Sequence, residues 1–192
     1  MGRPSLQLQR QEEILDAAQQ LVLDEGLSAL TPVAVARRVG LDRSTVHHYF
    51  SHRQALVAGL ASKIVEGYLG ALEHHTRPDN PEELLDWLFD GGMMLATYDR
   101  LTDELHAAHY TDADVAGHLL RLYQTLENRC VEWLTAACPE VSEVQVKQTA
   151  YAVYALIEGA HMLRGVGFDL NRMTAAKQAA AALINQLRTE PA

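Results

Sequence analysis

The segment Arg43-Ser44-Thr45-Val46-His47-His48-Tyr49 sets six hydrogen-bonding side chains around one apolar residue. Arg43 could reach a guanine edge or a phosphate, and Ser44 and Thr45 are short enough to let a polynucleotide backbone approach closely. This is the chemistry of binding, not of bond breaking. Taken singly, Arg43, His47 and His48 read more often as solvated surface side chains and Tyr49 as a packing residue, so the segment gains meaning only from its setting. Elsewhere, His106 and His109 stand at i, i+3 and could share a metal, but no clear third ligand accompanies them and no metal site is expected. Cys130 and Cys138 fit neither a metal motif nor a disulfide framework and read as free thiols of a reducing cytoplasm. With no glycine-rich phosphate loop, nucleophile elbow or paired acid–base motif in the sequence, neither an enzyme nor a cofactor is expected.

The setting is helical. Apolar periodicity and capping signals predict an all-α chain of about nine helices. The first spans roughly Gln11 to Asp24, with Ile14, Ala18, Leu21 and Val22 on one stripe and Gly26 suited to a left-handed C-terminal cap. Thr31-Pro32 opens the second, Thr as N-cap and Pro at the first helical position, and it runs to about Val39. Gly40-Leu41-Asp42 then makes a tight turn, with Asp42 placed to cap a third helix from Arg43 to Tyr49. Two short helices joined by a glycine-containing turn are the pattern of a DNA-reading helix-turn-helix, which other helical corners share. Val35, Val39, Leu41, Val46 and Phe50 would be the core of that corner. Ser51-x-x-Gln54 offers a capping box to a fourth helix, which has Leu56, Leu60 and Ile64 inward and continues to about His75. Beyond a break at Arg77-Pro78-Asp79-Asn80-Pro81, helices are expected near Glu82–Thr97, Leu101–His109, Asp112–Ala137, Glu143–Arg164 and Arg172–Leu187.

With 192 residues, 48% of them hydrophobic, the chain can bury a core. No apolar run approaches the ~20 residues of a membrane span, and the first residues lack the apolar centre of a signal peptide. The net charge of −9 argues against a polyanionic partner until it is divided: residues 1–55 carry six arginines and six acids, whereas residues 56–192 carry ten basic and nineteen acidic groups. A neutral head, 1–55, thus precedes an acidic body, 56–192, and such a head binds phosphate if its arginines cluster on one face.

Ile14-Leu15-Asp16-Ala17-Ala18, Gly26-Leu27 and Leu30-Thr31-Pro32-Val33-Ala34-Val35-Ala36 are followed by Gly40-Leu41-Asp42-Arg43-Ser44-Thr45-Val46-His47-His48-Tyr49-Phe50, Arg53 and Leu56. In order and spacing, over about residues 10–60, these pieces resemble the tetracycline-repressor (TetR/AcrR) family of bacterial transcriptional regulators. Beyond residue 60 the resemblance is one of chain length and helix count. Asp42 stands where the family commonly has Ser, His47 where it has Tyr, and His52-Arg53 where it has Ser-Lys. The resemblance implies a cytoplasmic, ligand-responsive repressor that binds palindromic operator DNA as a homodimer and is released by a small, mostly apolar effector. The alternative is an effector-independent regulator or activator of the same fold. The family pattern further implies base contact by His48 and phosphate contact by His47 and Tyr49. Thr31 and Arg53, at the starts of their helices, are expected to meet phosphates. Arg37 and Arg38 read either way, and Gly2-Arg3-Pro4 could place Arg3 in a minor groove. The paired histidines predict operator affinity that rises as the pH falls from about 8 to 6.

The body, 56–192, is expected to bind the ligand and to dimerise through its last two helices. Ala152, Ala155, Gly159 and Ala160 would allow close approach, with Tyr151, Leu156, Met162 and Leu163 around them and Ala179, Leu183 and Leu187 continuing the contact; an intramolecular core reads equally well. Trp87, Met93, Met94, Tyr98, Tyr110, Tyr123 and Tyr154, with space at Gly91-Gly92, suit an apolar pocket, and His106, His109, Glu158 and His161 are its candidate polar handles.

Overall fold

The computed structural model describes residues 6–73, 80–90 and 93–189, and every regular element among them is helical. The α-helices are α1 (Leu6–Glu25), α2 (Pro32–Val39), α3 (Arg43–Tyr49), α4 (Arg53–Glu73), α5 (Pro81–Asp90), α6 (Met93–Ala108), α7 (Ala113–Ala137), α8 (Glu143–Gly165) and α9 (Leu170–Thr189), with a 3-10 turn, Leu27–Ala29, between α1 and α2.

Most boundaries follow from local chemistry. Thr31 Oγ1 accepts the Ala34 N–H at 3.1 Å, and Pro32 follows at the first helical position. Gly40 closes α2 in the left-handed conformation (φ 72°, ψ 32°) and returns its N–H to Ala36. Gly26, at φ 82° and ψ 166°, lies instead in an extended region of positive φ that is open essentially to glycine alone, so it turns the chain without forming the expected left-handed cap.

Four expectations are corrected. α1 starts at Leu6 rather than Gln11, because Leu6-Gln7-Leu8-Gln9-Arg10 are all good helix formers with nothing to stop them. Asp42 stands at the N-cap of α3 but its carboxylate makes no cap bond; its carbonyl alone takes the Thr45 and Val46 N–H groups. The side-chain cap of α4 comes from His52, whose Nδ1 accepts from Ala55 N at 3.1 Å, and not from Ser51. α6 runs unbroken from Met93 to Ala108, through the expected boundary between Thr97 and Leu101, and α5 already ends at Asp90. The intervening Gly91-Gly92, the poorest helix formers of this stretch, lie outside the described residues. So do Arg3 and Arg77-Pro78-Asp79, while Asn80 caps α5 by accepting the Glu83 N–H at 2.9 Å.

The chain packs as two compact units, Met1–His74 with Met94–Leu122, and His75–Met93 with Tyr123–Ala192. This grouping by packing is distinct from the division by task drawn at residue 55. The first unit buries the stripe Ile14, Ala18, Leu21 and Val22 of α1, Val35 of α2, Val46 of α3, Leu56, Leu60 and Ile64 of α4, and Leu101 and Leu105 of α6. In the second, Val146, Ala150, Val153 and Ile157 of α8 join Met173, Ala180, Ile184 and Leu187 of α9, Leu85 and Phe89 of α5, and Cys130 and Leu134 of α7 in one core. Leu187, expected at a contact between subunits, is therefore inside this core, and Leu183 packs against it. Both cysteines are free and buried; burial, with Glu127 adding to it, pushes the Cys130 thiol up to about 12 and leaves it inert.

Candidate nucleic-acid interface

α3 has a clean division of faces. Val46 is fully buried and Phe50 follows it inward, while Arg43, Ser44, His47 and His48 are exposed and Thr45 and Tyr49 half-buried. Residues 43 and 47, and 44 and 48, are one turn apart, so the polar set forms a single open face. His48 and Tyr49 meet edge to face, their ring centres 5.3 Å apart. Gly59 of α4 lets this helix end lie close, because a methyl group there would stand 2.7 Å from the Phe50 ring.

The arginines of the head divide into held and open. Arg53, expected to meet phosphate, donates from Nε to the Leu30 carbonyl and from Nη2 to the Leu27 carbonyl, both at 2.9 Å, and so fastens the start of α4 to the 3-10 turn. Arg38 is spanned by Asp24 at 2.6 Å and Glu25 at 3.4 Å. Arg37 and Arg43 are exposed and hold no ion pair among the described residues. Thr31 remains exposed, and its hydroxyl still has a proton to donate while its oxygen caps α2.

Two residues that sequence reading passed over reach the same segment. Arg100 Nη2 donates to the Leu23 carbonyl at 2.6 Å, and Glu104 Oε2 accepts the Leu27 N–H at 2.8 Å. The stretch from Leu23 to Leu30, which leads into the helix-turn-helix, is thus held by α4 through Arg53 and by α6 through Arg100 and Glu104. No periodic signal links residues so far apart in the chain.

The candidate ligand residues fall into two groups. In the first unit, His106 and His109 lie one turn apart with ring centres 6.2 Å apart, and the His109 ring lies 3.9 Å from that of Tyr110, which is 83% exposed. In the second, Tyr123 and Tyr154 pair at 6.1 Å, Trp87 meets Trp133 edge to face at 5.6 Å, and Glu158 and His161 are half-buried on α8. Trp133 was not among the expected residues. The side chains of Met93, Met94 and Tyr98 lie outside the described residues. Among the described residues no group of three His, Cys, Asp or Glu could hold a metal ion, and no helix is long and apolar enough to cross a membrane.

A three-helix head whose short third helix turns a polar face outward, in an otherwise helical chain, is the arrangement of a helix-turn-helix DNA-binding head. Residues 14–60 match the model of the bacterial regulatory proteins, tetR family. The HTH-type transcriptional regulator BetI of Escherichia coli O17:K52:H18 (strain UMN026 / ExPEC) is 23% identical over 164 residues, 83% of this chain and 84% of that protein. A TetR transcription regulator from Haloarcula marismortui ATCC 43049 superposes with a TM-score of 0.77 at 16% identity, over 94% of this chain and 98% of that one. The multidrug binding protein EbrR complexed with ethidium gives 0.70 at 19% identity, over 91% and 98%. The head of the chain, residues 14–60, thus carries the tetR-family pattern, and over most of its length the chain shares the fold of these solved structures.

Proposed function

We propose that this regulator is a cytoplasmic repressor that binds palindromic operator DNA as a homodimer through residues 1–55 and is released by a small, mostly apolar effector bound in residues 56–192. The open face of α3 carries the reading: Arg43, Ser44, His47 and His48 point outward while Val46 and Phe50 anchor the helix from behind. Arg43 and His48 meet base edges, and Thr31, His47 and Tyr49 meet phosphates. Arg53 acts mainly by fixing the 3-10 turn.

Pairing is supported by α8. Its buried stripe leaves Val144, Tyr151, Met162 and Leu163 exposed on the other side, and Ala155, Gly159 and Ala160 line a groove of about 220 Å³ with Phe168. An apolar face of this extent fits a second copy. The effector reading draws on the aromatic pairs of the second unit and on EbrR, which is described with ethidium bound. Release would act on the segment Leu23–Leu30: an effector that shifts α6 moves Arg100 and Glu104, and with them the lead into α2 and α3.

The test is to mix the purified protein with sheared genomic DNA and sequence what it retains, then repeat with a panel of small, mostly apolar compounds that do not intercalate into DNA. Enrichment of one short palindrome, lost on adding one of these compounds, is the expected result. Retention without sequence preference would overturn the operator reading, and retention of one palindrome whatever small molecule is added would overturn the effector reading.

A further inference from the structure

The first turns of α1 and the end of α3 border an open, mainly polar groove of about 410 Å³, lined by Leu6, Gln7, Gln9, Arg10 and Glu13 on one side and His48 and Tyr49 on the other. We propose that this groove seats a backbone phosphate of the operator duplex, with Arg10 as its cation, so that the DNA interface extends from the recognition helix onto α1. The inference rests on the operator reading above and extends it to a helix outside the helix-turn-helix.

The chemistry of the walls points to an oxyanion. Arg10, the two glutamine amides and the Tyr49 hydroxyl can all donate, and only Arg10 brings a permanent charge. Glu13 is the one wall residue that repels phosphate, and it is already paired with Arg10, Nη1 to Oε2 at 2.6 Å. Both partners are about two-fifths exposed, at 43% and 41%. An ion pair so open to water is worth little, so Arg10 exchanges readily from Glu13 to a phosphate. The other nearby acids of α1 are engaged away from the groove: Asp16 lies 2.9 Å and Glu12 4.0 Å from Lys63 of α4.

Continuity identifies the phosphate as one of the duplex and not a free anion. His48 belongs both to the open face of α3 and to the groove wall, and Tyr49 is set against it. A duplex whose major groove receives α3 must carry its backbone past the ends of that helix, and one such end is here.

The experiment uses the full chain and the palindrome it retains. Binding is measured against salt for wild type, Arg10→Gln and Glu13→Gln, and against duplexes with a neutral methylphosphonate at each backbone position in turn. Arg10→Gln should weaken binding at least about tenfold, flatten the salt dependence by about 0.9 per head, and leave the selected sequence unchanged. Glu13→Gln should tighten binding, since it frees Arg10. One methylphosphonate position per half-site should weaken wild type and leave Arg10→Gln unaffected. An unchanged salt slope in Arg10→Gln, weaker binding by Glu13→Gln, or a free phosphate buffer that competes as strongly as the missing backbone charge would each overturn the proposal. If wild type selects no palindrome at all, it is the operator reading that fails.

Discussion

Each unit has its own apolar core, but the first adds to it a set of directional bonds onto one backbone segment. In the first, three side chains from two other helices, Arg53, Arg100 and Glu104, make four hydrogen bonds to the backbone between Leu23 and Leu30. In the second, α5, α7, α8 and α9 meet through apolar stripes, and the ion pair of Lys177 with Asp86, 2.8 Å, has its carboxylate largely in water. Hydrogen bonds are directional and fix distance and angle; apolar burial scales with area and fixes neither. A segment that must aim a recognition helix needs the first kind, and a scaffold that buries one face of α8 and presents the other is served by the second. Single replacements should therefore mislead the first unit without unfolding it, and in the second should act through buried or presented area.

The largest effect is expected on the outer side of α8. Tyr151 and Met162 are 64% and 62% exposed, whereas Val146, Ala150, Val153 and Ile157 carry the fold from the opposite side. Tyr151→Glu with Met162→Glu should leave the helix content and melting temperature of the single chain intact, convert a dimer to a monomer in sedimentation velocity, and weaken operator binding at least about a hundredfold, because one head then reads one half-site. A dimer that persists would mean that pairing does not use this face.

Second is Gly59→Ala, which sharpens the contrast inside the first unit by attacking packing in place of hydrogen bonds. The added methyl would stand 2.7 Å from the buried Phe50 ring and 3.4 Å from Leu15. The expected cost is about 1–3 kcal/mol of stability, read as a lower urea midpoint with an unchanged slope. A neutral result would show that Phe50 yields easily and that α3 is placed by other contacts.

What could be read in advance was what local chemistry decides. Thr31, Pro32 and Gly40 act as their residue types require, and the buried stripe of α1 and the open face of α3 follow from helical spacing. The rest depends on partners distant in sequence. Arg53 was expected at phosphate, yet the fold brings backbone carbonyls to it, and Glu104 and Gly59 gave no signal until the Leu27 N–H and the Phe50 ring were set against them. Asp42 misled in the opposite sense, since a strong capping residue at a capping position leaves its side chain unused. The aromatic residues of the body have no such local signature: Tyr110 lies in solvent while Tyr123 and Tyr154 pair, and spacing alone does not separate them.

Third is Glu104→Gln, the direct test of positioning by hydrogen bond. The amide keeps the size and an acceptor but turns a charged hydrogen bond to Leu27 N into a neutral one, a change of about 1 kcal/mol. If the bond places the head, operator affinity should fall about fivefold with the selected palindrome unchanged, and the response to effector should weaken. Equal losses in stability and none in affinity would make Glu104 a simple brace.

The smallest effect concerns acid, and it arises on the same helix as Glu104. Burial holds the His106 imidazole below its ordinary pKa of 6.5; Asp103 pulls the other way and His109 adds to the lowering. His106 Nδ1 lies 3.9 Å from the Asp103 carboxylate, too far for a hydrogen bond to offset the burial. In the unfolded chain this imidazole takes up its proton near 6.5, while in the fold it stays neutral to lower pH. Below that value the unfolded state binds more protons, so this residue makes stability fall as the pH drops from about 7 toward 5 and contributes no slope above it. His106→Gln should flatten that part of a urea-midpoint profile, and Asp103→Asn, by removing the opposing attraction, should steepen it. The ring is partly exposed, so the effect is small beside those of Gly59 and Glu104. A profile that His106→Gln leaves unchanged would mean that acid acts on the first unit elsewhere and that this end of α6 adds nothing to its pH dependence.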